Sequence, residues 1–356
     1  MTPREREIMA LLRKNPQISQ REIAEKLNIT RSGVSTHINN LAKNGYILGR
    51  TYILREDDYI SVVGGANMDI VGSSYNKIIR KDSNPGYIKY SSGGVGRNIC
   101  ADLARLGIKT SFISVLGTDT SGSFIKNELS SINVDTSNIL IVSGSTPHYL
   151  AILDDSKDME LAISDMDLVK KIDKDFLQGK RHIISSSKLT ILDTNLEEEA
   201  LGYLFKNIPS KYLVDGVSTK KVVKLKNYLP YIYFLKVNEY EAKALTDEKD
   251  DIEKIAEELL DKGLNSLCIT LGSKGAYYFS KKEKIFKKSI KLNVVNASGA
   301  GDAFMAGFSY GLFNDESVEE CLNLAMASSR IVLKSKTASP YDYNLEKLME
   351  EVKNAW

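Results

Sequence analysis

The 356-residue chain is 42% hydrophobic, enough for a sizeable core, and no apolar run approaches the ~20 residues of a membrane span, so a membrane role is not expected. No signal-peptide pattern precedes residue 20, and Cys100, Cys268 and Cys321 lack C-x-x-C or Cys/His spacing; this argues against a disulfide framework or zinc site and for a reducing cytoplasm. The net charge is only +2, yet residues 1–56 carry ten Lys/Arg against five Asp/Glu while the remainder carries 38 against 41, so the basic surplus is N-terminal.

Residues 1–45 read as three short helices. Ile8, Leu11 and Leu12 mark one apolar face, and Ile23, Ala24 and Leu27 a second. Ser19 with Glu22 is a capping box, Asn28-Ile29 a turn, and Thr30 a cap for a third helix holding Val34, Ile38 and Leu41. Tyr46 to Leu54 suits a small hairpin around Gly49-Arg50. The pattern resembles a winged helix-turn-helix domain. That resemblance would offer Arg31, Ser32, Ser35, Thr36, His37 and Asn39 to a major groove of double-stranded DNA, with Arg50 on the wing. A three-helix interaction module is the alternative.

Beyond Glu56-Asp57-Asp58 the expected order is strand–helix alternation. Strands are expected at 59–63, 110–116, 188–192, 212–214, 231–237 and 266–271, and helices at 97–106, 196–207, 239–245, 252–262, 300–313 and 318–334. Such alternation predicts an α/β fold with a mostly parallel sheet covered on both faces. Two segments, 78–90 and 149–163, alternate polar and apolar residues with no helix between, and are expected to form a small second sheet over the strand ends. The boundary is expected at 56/57.

Glycine-rich turns punctuate this order. Gly64-Gly65-Ala66-Asn67-Met68-Asp69 follows the first strand, where α/β sheets bind ligands; an ordinary Asx turn is the alternative. Ser92-Gly93-Gly94-Val95-Gly96-Arg97-Asn98 permits close backbone approach, but is no dinucleotide fingerprint, and no P-loop motif occurs anywhere. Asn296-Ala297-Ser298-Gly299-Ala300-Gly301-Asp302 opens a helix, so its amide groups would attract an anion. A carboxylate there would repel a phosphate, and Asp302 therefore suits a proton acceptor for an attacking hydroxyl. A plain helix entry capped by Ser298 is the alternative. His37, His148 and His182 are given no chemistry, and His182 opens an apolar, strand-like run.

Gly93-Gly94 with Asn98, then Asn238-Glu239-Tyr240-Glu241, then Gly299-Ala300-Gly301-Asp302, in that order, resemble the ribokinase-like (PfkB) kinases over about residues 59–340. Within that family, Asp82 to Lys89, the turn ending in Asn98, Ala162 to Asp167 and Val295 to Asp302 are similar to the pseudouridine kinases, some of which also carry an N-terminal helix-turn-helix. The resemblance implies a three-layer αβα core with a β-sheet lid from segments near 70–92 and 145–165. It also implies ATP-dependent phosphorylation of a nucleoside 5′-hydroxyl in the cytoplasm, and a possible homodimer through the lid.

Asp302 would be the base, and Gly299, Ala300 and Gly301 would stabilise the transferring oxygens. Asp69 and Asn98 would bind the ribose hydroxyls, with Asn67, Gly93 and Gly94 shaping the same wall, and Ser83, Tyr149 and Asp165 would face the nucleobase. Asn238 and Glu241 would organise Mg²⁺ through water, and Thr270, Gly272 and Gly275 would flank ATP. Asn296 stands where most of the family has an acidic residue, which leaves a monovalent-cation site open. Two rivals remain: a kinase of another sugar or nucleoside, and a transcription regulator that senses a nucleoside with a kinase fold.

Overall fold

The computed structural model describes residues 1–16, 18–47 and 58–354. Three helices come first: α1 (Pro3–Lys14), α2 (Gln20–Leu27) and α3 (Arg31–Lys43). Thr2 and Ser19 close capping boxes with Glu5 and Glu22, and Asn28 takes a left-handed conformation at φ 51° to turn α2 into α3. Ile8, Leu12, Ile23, Val34, Ile38 and Leu41 meet in one small core, as the apolar spacing predicts. The expected wing falls almost wholly outside the described residues.

The chain continues through β1 (Ile60–Val63), β2 (Asn67–Ser74), β3 (Gly86–Gly93), α4 (Val95–Arg105), β4 (Thr110–Ile113) and β5 (Val115–Gly117). Next come α5 (Thr120–Ser131), β6 (Leu140–Val142), β7 (His148–Leu153), β8 (Met159–Asp165), α6 (Lys174–Gly179), α7 (Arg181–Ser186) and β9 (Leu189–Asp193). Then follow α8 (Glu198–Asn207), β10 (Tyr212–Asp215), α9 (Thr219–Val222), β11 (Ile232–Asn238), α10 (Glu239–Leu245) and α11 (Ile252–Asp261). Last are β12 (Ser266–Thr270), β13 (Gly275–Ser280), β14 (Lys284–Lys288), α12 (Ala300–Phe313), α13 (Val318–Leu333) and α14 (Leu345–Lys353).

The main sheet has the order β14-β13-β12-β11-β10-β9-β1-β4, parallel from β12 to β4 and closed by an antiparallel hairpin at the β14 edge. Successive strand residues bury on opposite faces. Val63, Ile113, Leu192 and Val214 join a core with α8, α10 and α11, whereas Val62, Phe112, Ile191 and Leu213 join one with α4, α12 and α13. That two-sided burial gives the three-layer αβα architecture. A separate sheet, β3-β2-β7-β8, forms the lid.

Several expectations need correction. The segment from Asn67 is no Asx turn but the start of lid strand β2, paired with β3 from Asn67↔Gly93 to Ser74↔Gly86. His182 is exposed near the start of the short helix α7 rather than on a strand. The periodicity reading singled out neither the β13–β14 hairpin nor α5 and α14. No helix among the described residues is long and apolar enough to cross a membrane.

Candidate active site

The turn before α12 organises the site. Gly299 is its N-cap at φ +80°, and a Cβ there would lie 2.2 Å from the Ala338 carbonyl oxygen, so this close approach requires glycine. No side chain caps α12, which removes the reading in which Ser298 does so. Instead the Ser298 amide donates to Asn296 Oδ1 at 2.9 Å. The Ala300 amide makes only a long bond to the Ala297 carbonyl at 3.4 Å, and the uncapped helix start leaves its positive dipole end available to an anion.

Asp302 sits in the first turn of α12, buried, and accepts from Asn98 Nδ2 at 2.8 Å. Burial foremost, then the charge of Asp215, pushes its carboxyl up to about 7. A side chain that motif reading missed lies beside it. Lys236 on β11 is buried, bonds Asp215 at 3.1 Å, and its Nζ would be 2.5 Å from a Cβ on Gly301. Burial works against its charge, but Asp215, then Asp302 and Glu241, outweigh that and hold the proton above the ordinary lysine range. A lysine two residues before the end of β11, beside the acidic end of β10, was the available signal.

On one side of the turn is a cavity of about 210 Å³ lined by Asn67, Asp69, Gly94, Asn98, Tyr149 and Asp302. Its floor is fixed by Asp193 at the end of β9, whose Oδ2 accepts from the Gly65 and Gly96 amides at 2.9 and 2.8 Å. Those two bonds tie the β1 exit to the start of α4. Gly94, at φ +99°, comes so close to this loop that a Cβ would lie 2.6 Å from the Gly65 carbonyl oxygen. Asn67 Nδ2 donates to Asp69 Oδ1 at 2.6 Å, and burial raises the Asp69 carboxyl. Asp69 also packs against Gly93, where a Cβ would meet Oδ2 at 2.3 Å.

On the other side lies a larger cavity, about 710 Å³, lined by Thr270, Gly272, Gly275, Ala297, Ala300 and Gly301 among others. The apolar residues Ile290, Leu292 and Val294 form part of its wall, which accounts for the exposed run that makes no strand. One turn of backbone therefore separates a small cavity from a large, more apolar one.

A family model described as pfkB family carbohydrate kinase matches residues 57–342, and one described as winged helix-turn-helix DNA-binding matches residues 1–47. The chain belongs to the pfkB family of carbohydrate kinases. The pseudouridine kinase of Escherichia coli K12 is 35% identical over 309 residues, covering 85% of this chain and 99% of that protein. An uncharacterized sugar kinase of the same strain is 36% identical and covers 93% of each chain. The solved carbohydrate kinase from Agrobacterium tumefaciens superposes with a TM-score of 0.75 at 28% identity, over 83% of this chain and 97% of that one. This pfkB protein is accordingly a sugar or nucleoside kinase with an N-terminal winged helix-turn-helix.

The remaining residues of the family pattern fall as follows. Asn238 and Glu241 form the capping box of α10: Asn238 Oδ1 accepts from the Glu241 amide, and Glu241 Oε2 and Oε1 accept from Asn238 N and Nδ2 at 2.9 and 2.7 Å. Both carboxylate oxygens are thus engaged, which fits a magnesium ion reached through water better than direct ligation. No group of three or more His, Cys, Asp or Glu suited to a metal occurs among the described residues. Asn296 gives its amide nitrogen to the Lys336 carbonyl at 3.4 Å, so the side chain joins two segments without a carboxylate.

Two lid residues are not brought to the small cavity. Ser83 lies in the exposed connection between β2 and β3, its amide bonded to Asp82 Oδ1, and Asp165 is exposed at the end of β8 while its neighbour Met166 lines the cavity. In α3, Arg31, Ser32, Thr36 and Asn39 are exposed and Ser35 is half-buried. His37 turns its Nδ1 toward Glu5 of α1 at 3.7 Å rather than standing clear of the domain. Arg50 lies outside the described residues.

Proposed function

We propose that this kinase transfers the γ-phosphoryl group of ATP to the 5′-hydroxyl of pseudouridine. The observation that carries the direct-transfer reading is the pair of cavities meeting at one turn, with Asp302 facing the small cavity and Gly301 bordering the large one. The substrate assignment draws its support from the relative that is 35% identical along 99% of its length.

In this reading the acceptor ribose occupies the small cavity, where Asp69, Asn67 and Asn98 offer hydroxyl partners and Gly93 and Gly94 shape the wall. Tyr149 lines the same cavity and faces the nucleobase. Ser83 and Asp165 reach the base only if the lid moves inward. Asp302, ionisable near neutral pH, takes the hydroxyl proton as attack begins. The amides of Gly299, Ala300 and Gly301, with Lys236 behind Gly301, stabilise charge on the transferring oxygens. ATP lies in the large cavity beside Thr270, Gly272 and Gly275. Asn238 and Glu241 would hold magnesium through water, and the ion would supply charge neutralisation at the phosphates.

The N-terminal domain, taken as residues 1–56, binds double-stranded DNA through the exposed face of α3 in the same reading, and would make the protein a kinase joined to a regulator. The lid's outer residues Ile88, Tyr90, Met159, Leu161 and Ile163 are exposed and support a homodimer formed lid to lid. The deciding experiment is a coupled assay of ADP release across a panel of nucleosides and sugars. Strong turnover with ribose or uridine and none with pseudouridine would refute the substrate; no acceptor-dependent turnover at all would favour a nucleoside sensor.

A further inference from the structure

A buried chain of polar contacts runs from the lid to Asp302. Ser92, next to the last residue of lid strand β3, donates its hydroxyl to Glu128 Oε2 on α5. Glu128 Oε1 pairs with Arg97 Nη2 at 2.6 Å, with both side chains nearly inaccessible. Arg97 Nη1 then donates to Asn98 Oδ1 at 3.1 Å, and Asn98 Nδ2 donates to Asp302 Oδ2 at 2.8 Å.

An asparagine amide can present either its oxygen or its NH₂ to a neighbour. Only the NH₂ favours an ionised carboxylate. A cationic donor held against Oδ1 removes the alternative, because the flipped amide would set NH₂ against a guanidinium. The guanidinium in turn needs a fixed anion, since a buried, unpaired arginine is costly.

We propose that Arg97 and Glu128 are positioning residues: their buried ion pair locks the Asn98 amide with its NH₂ toward Asp302, and Ser92 fastens that lock to the lid. Neither residue touches the acceptor. The inference rests on the reading of Asp302 as the base. The other charged groups around Asp302 are Asp215 on β10, Lys236 on β11 and Asp102 on α4. Asp102 accepts from Ser339 at 2.6 Å and lies 3.7 Å from a second arginine, Arg105, whose Nη2 stands 4.0 Å from Glu128 Oε1, so Glu128 faces both guanidinium groups but only Arg97 bonds Asn98.

The test is the pH profile of kcat/KM for wild type, Glu128→Gln and Ser92→Ala, which reports the free enzyme. A hydrogen bond to the charged form lowers a carboxyl pKa, so its loss raises it and moves the acid limb to higher pH. The limb is expected to rise by about one pH unit in Glu128→Gln, the size of one charge-assisted bond. In Ser92→Ala, which keeps every charge and is the safer variant for folding, it should rise in the same direction by less. High-pH turnover should approach wild type in both.

A uniform rate loss with an unmoved acid limb in both variants would overturn the proposal. The base reading is tested apart from it by Asp302→Asn. If that variant turns over normally, the base assignment fails; if it is inactive while the limbs of Glu128→Gln and Ser92→Ala stay put, only the lock fails.

Discussion

Replacing Asp302 with asparagine should stabilise the protein while disabling it, and the stabilisation should depend on pH in a defined way. Burial raises this carboxyl from its ordinary 3.8 to about 7. That interval corresponds to roughly 4 kcal/mol of disfavoured charge if nothing relaxes. Below pH 3.8 both folded and unfolded chains keep the proton, and wild type carries no penalty. As pH rises the unfolded chain ionises first, so wild-type stability falls until the folded carboxyl ionises near pH 7, then levels off. Asp302→Asn has no proton to lose, and its amide oxygen can still accept from Asn98. Its advantage over wild type should therefore grow by about 2–3 kcal/mol between pH 5 and pH 8. For a chain of this size that is a rise in Tm of roughly 3–5 °C. Melts of nucleotide-free protein at several pH values measure it, and a parallel assay should show turnover down at least ~10²-fold. A gap that stays flat with pH, or wild type the more stable at pH 8, would refute the burial argument.

Lys236→Met should lower kcat by about 10²-fold, in the range for loss of one preorganised charge contact. It should also move the acid limb upward, because a cation that favours ionised Asp302 is gone; a kcat within a few-fold of wild type would remove Lys236 from the site. Gly299→Ala forces a Cβ against the Ala338 carbonyl at a positive φ, so a stability loss of about 1–3 kcal/mol and a lower kcat/KM are expected, read by urea titration and by assay. An unchanged urea midpoint would show that the turn relaxes freely. Arg31→Ala should weaken binding to double-stranded DNA and flatten its salt dependence in a fluorescence titration, whereas an unchanged salt slope would take α3 out of the groove.

The αβα layers were readable because buried parallel strands and amphipathic helices leave different periods in the sequence, and because Ser19, Thr30 and the glycine turns mark ends. The two glycine turns before α4 and α12 were readable for the same reason: glycine at φ +99° or +80° against a neighbouring carbonyl is an obligation that the residue type records. Strand β2 was not. Gly64-Gly65-Ala66-Asn67-Met68-Asp69 has turn composition, and only pairing with distant residues, Asn67 with Gly93 and Asp69 with Ser91 and Tyr149, makes Asn67 and Asp69 strand residues. Lys236 and Asp193 were missed for a different reason. Each is an ordinary strand residue until the sheet brings it beside Gly301, or beside Gly65 and Gly96. The reach of the lid side chains was likewise beyond local pattern, since Ser83 and Asp165 belong to the lid yet sit away from the cavity.

The thinness of the partition formed by residues 297–302 has a stereochemical consequence. With donor and acceptor in the two cavities as proposed, they would approach the same few amides from opposite sides, so the phosphorus could pass directly between two oxygens, with entry and departure in line. A thiophosphate made chiral by oxygen isotopes should then emerge with its configuration inverted, and either substrate should be able to load first.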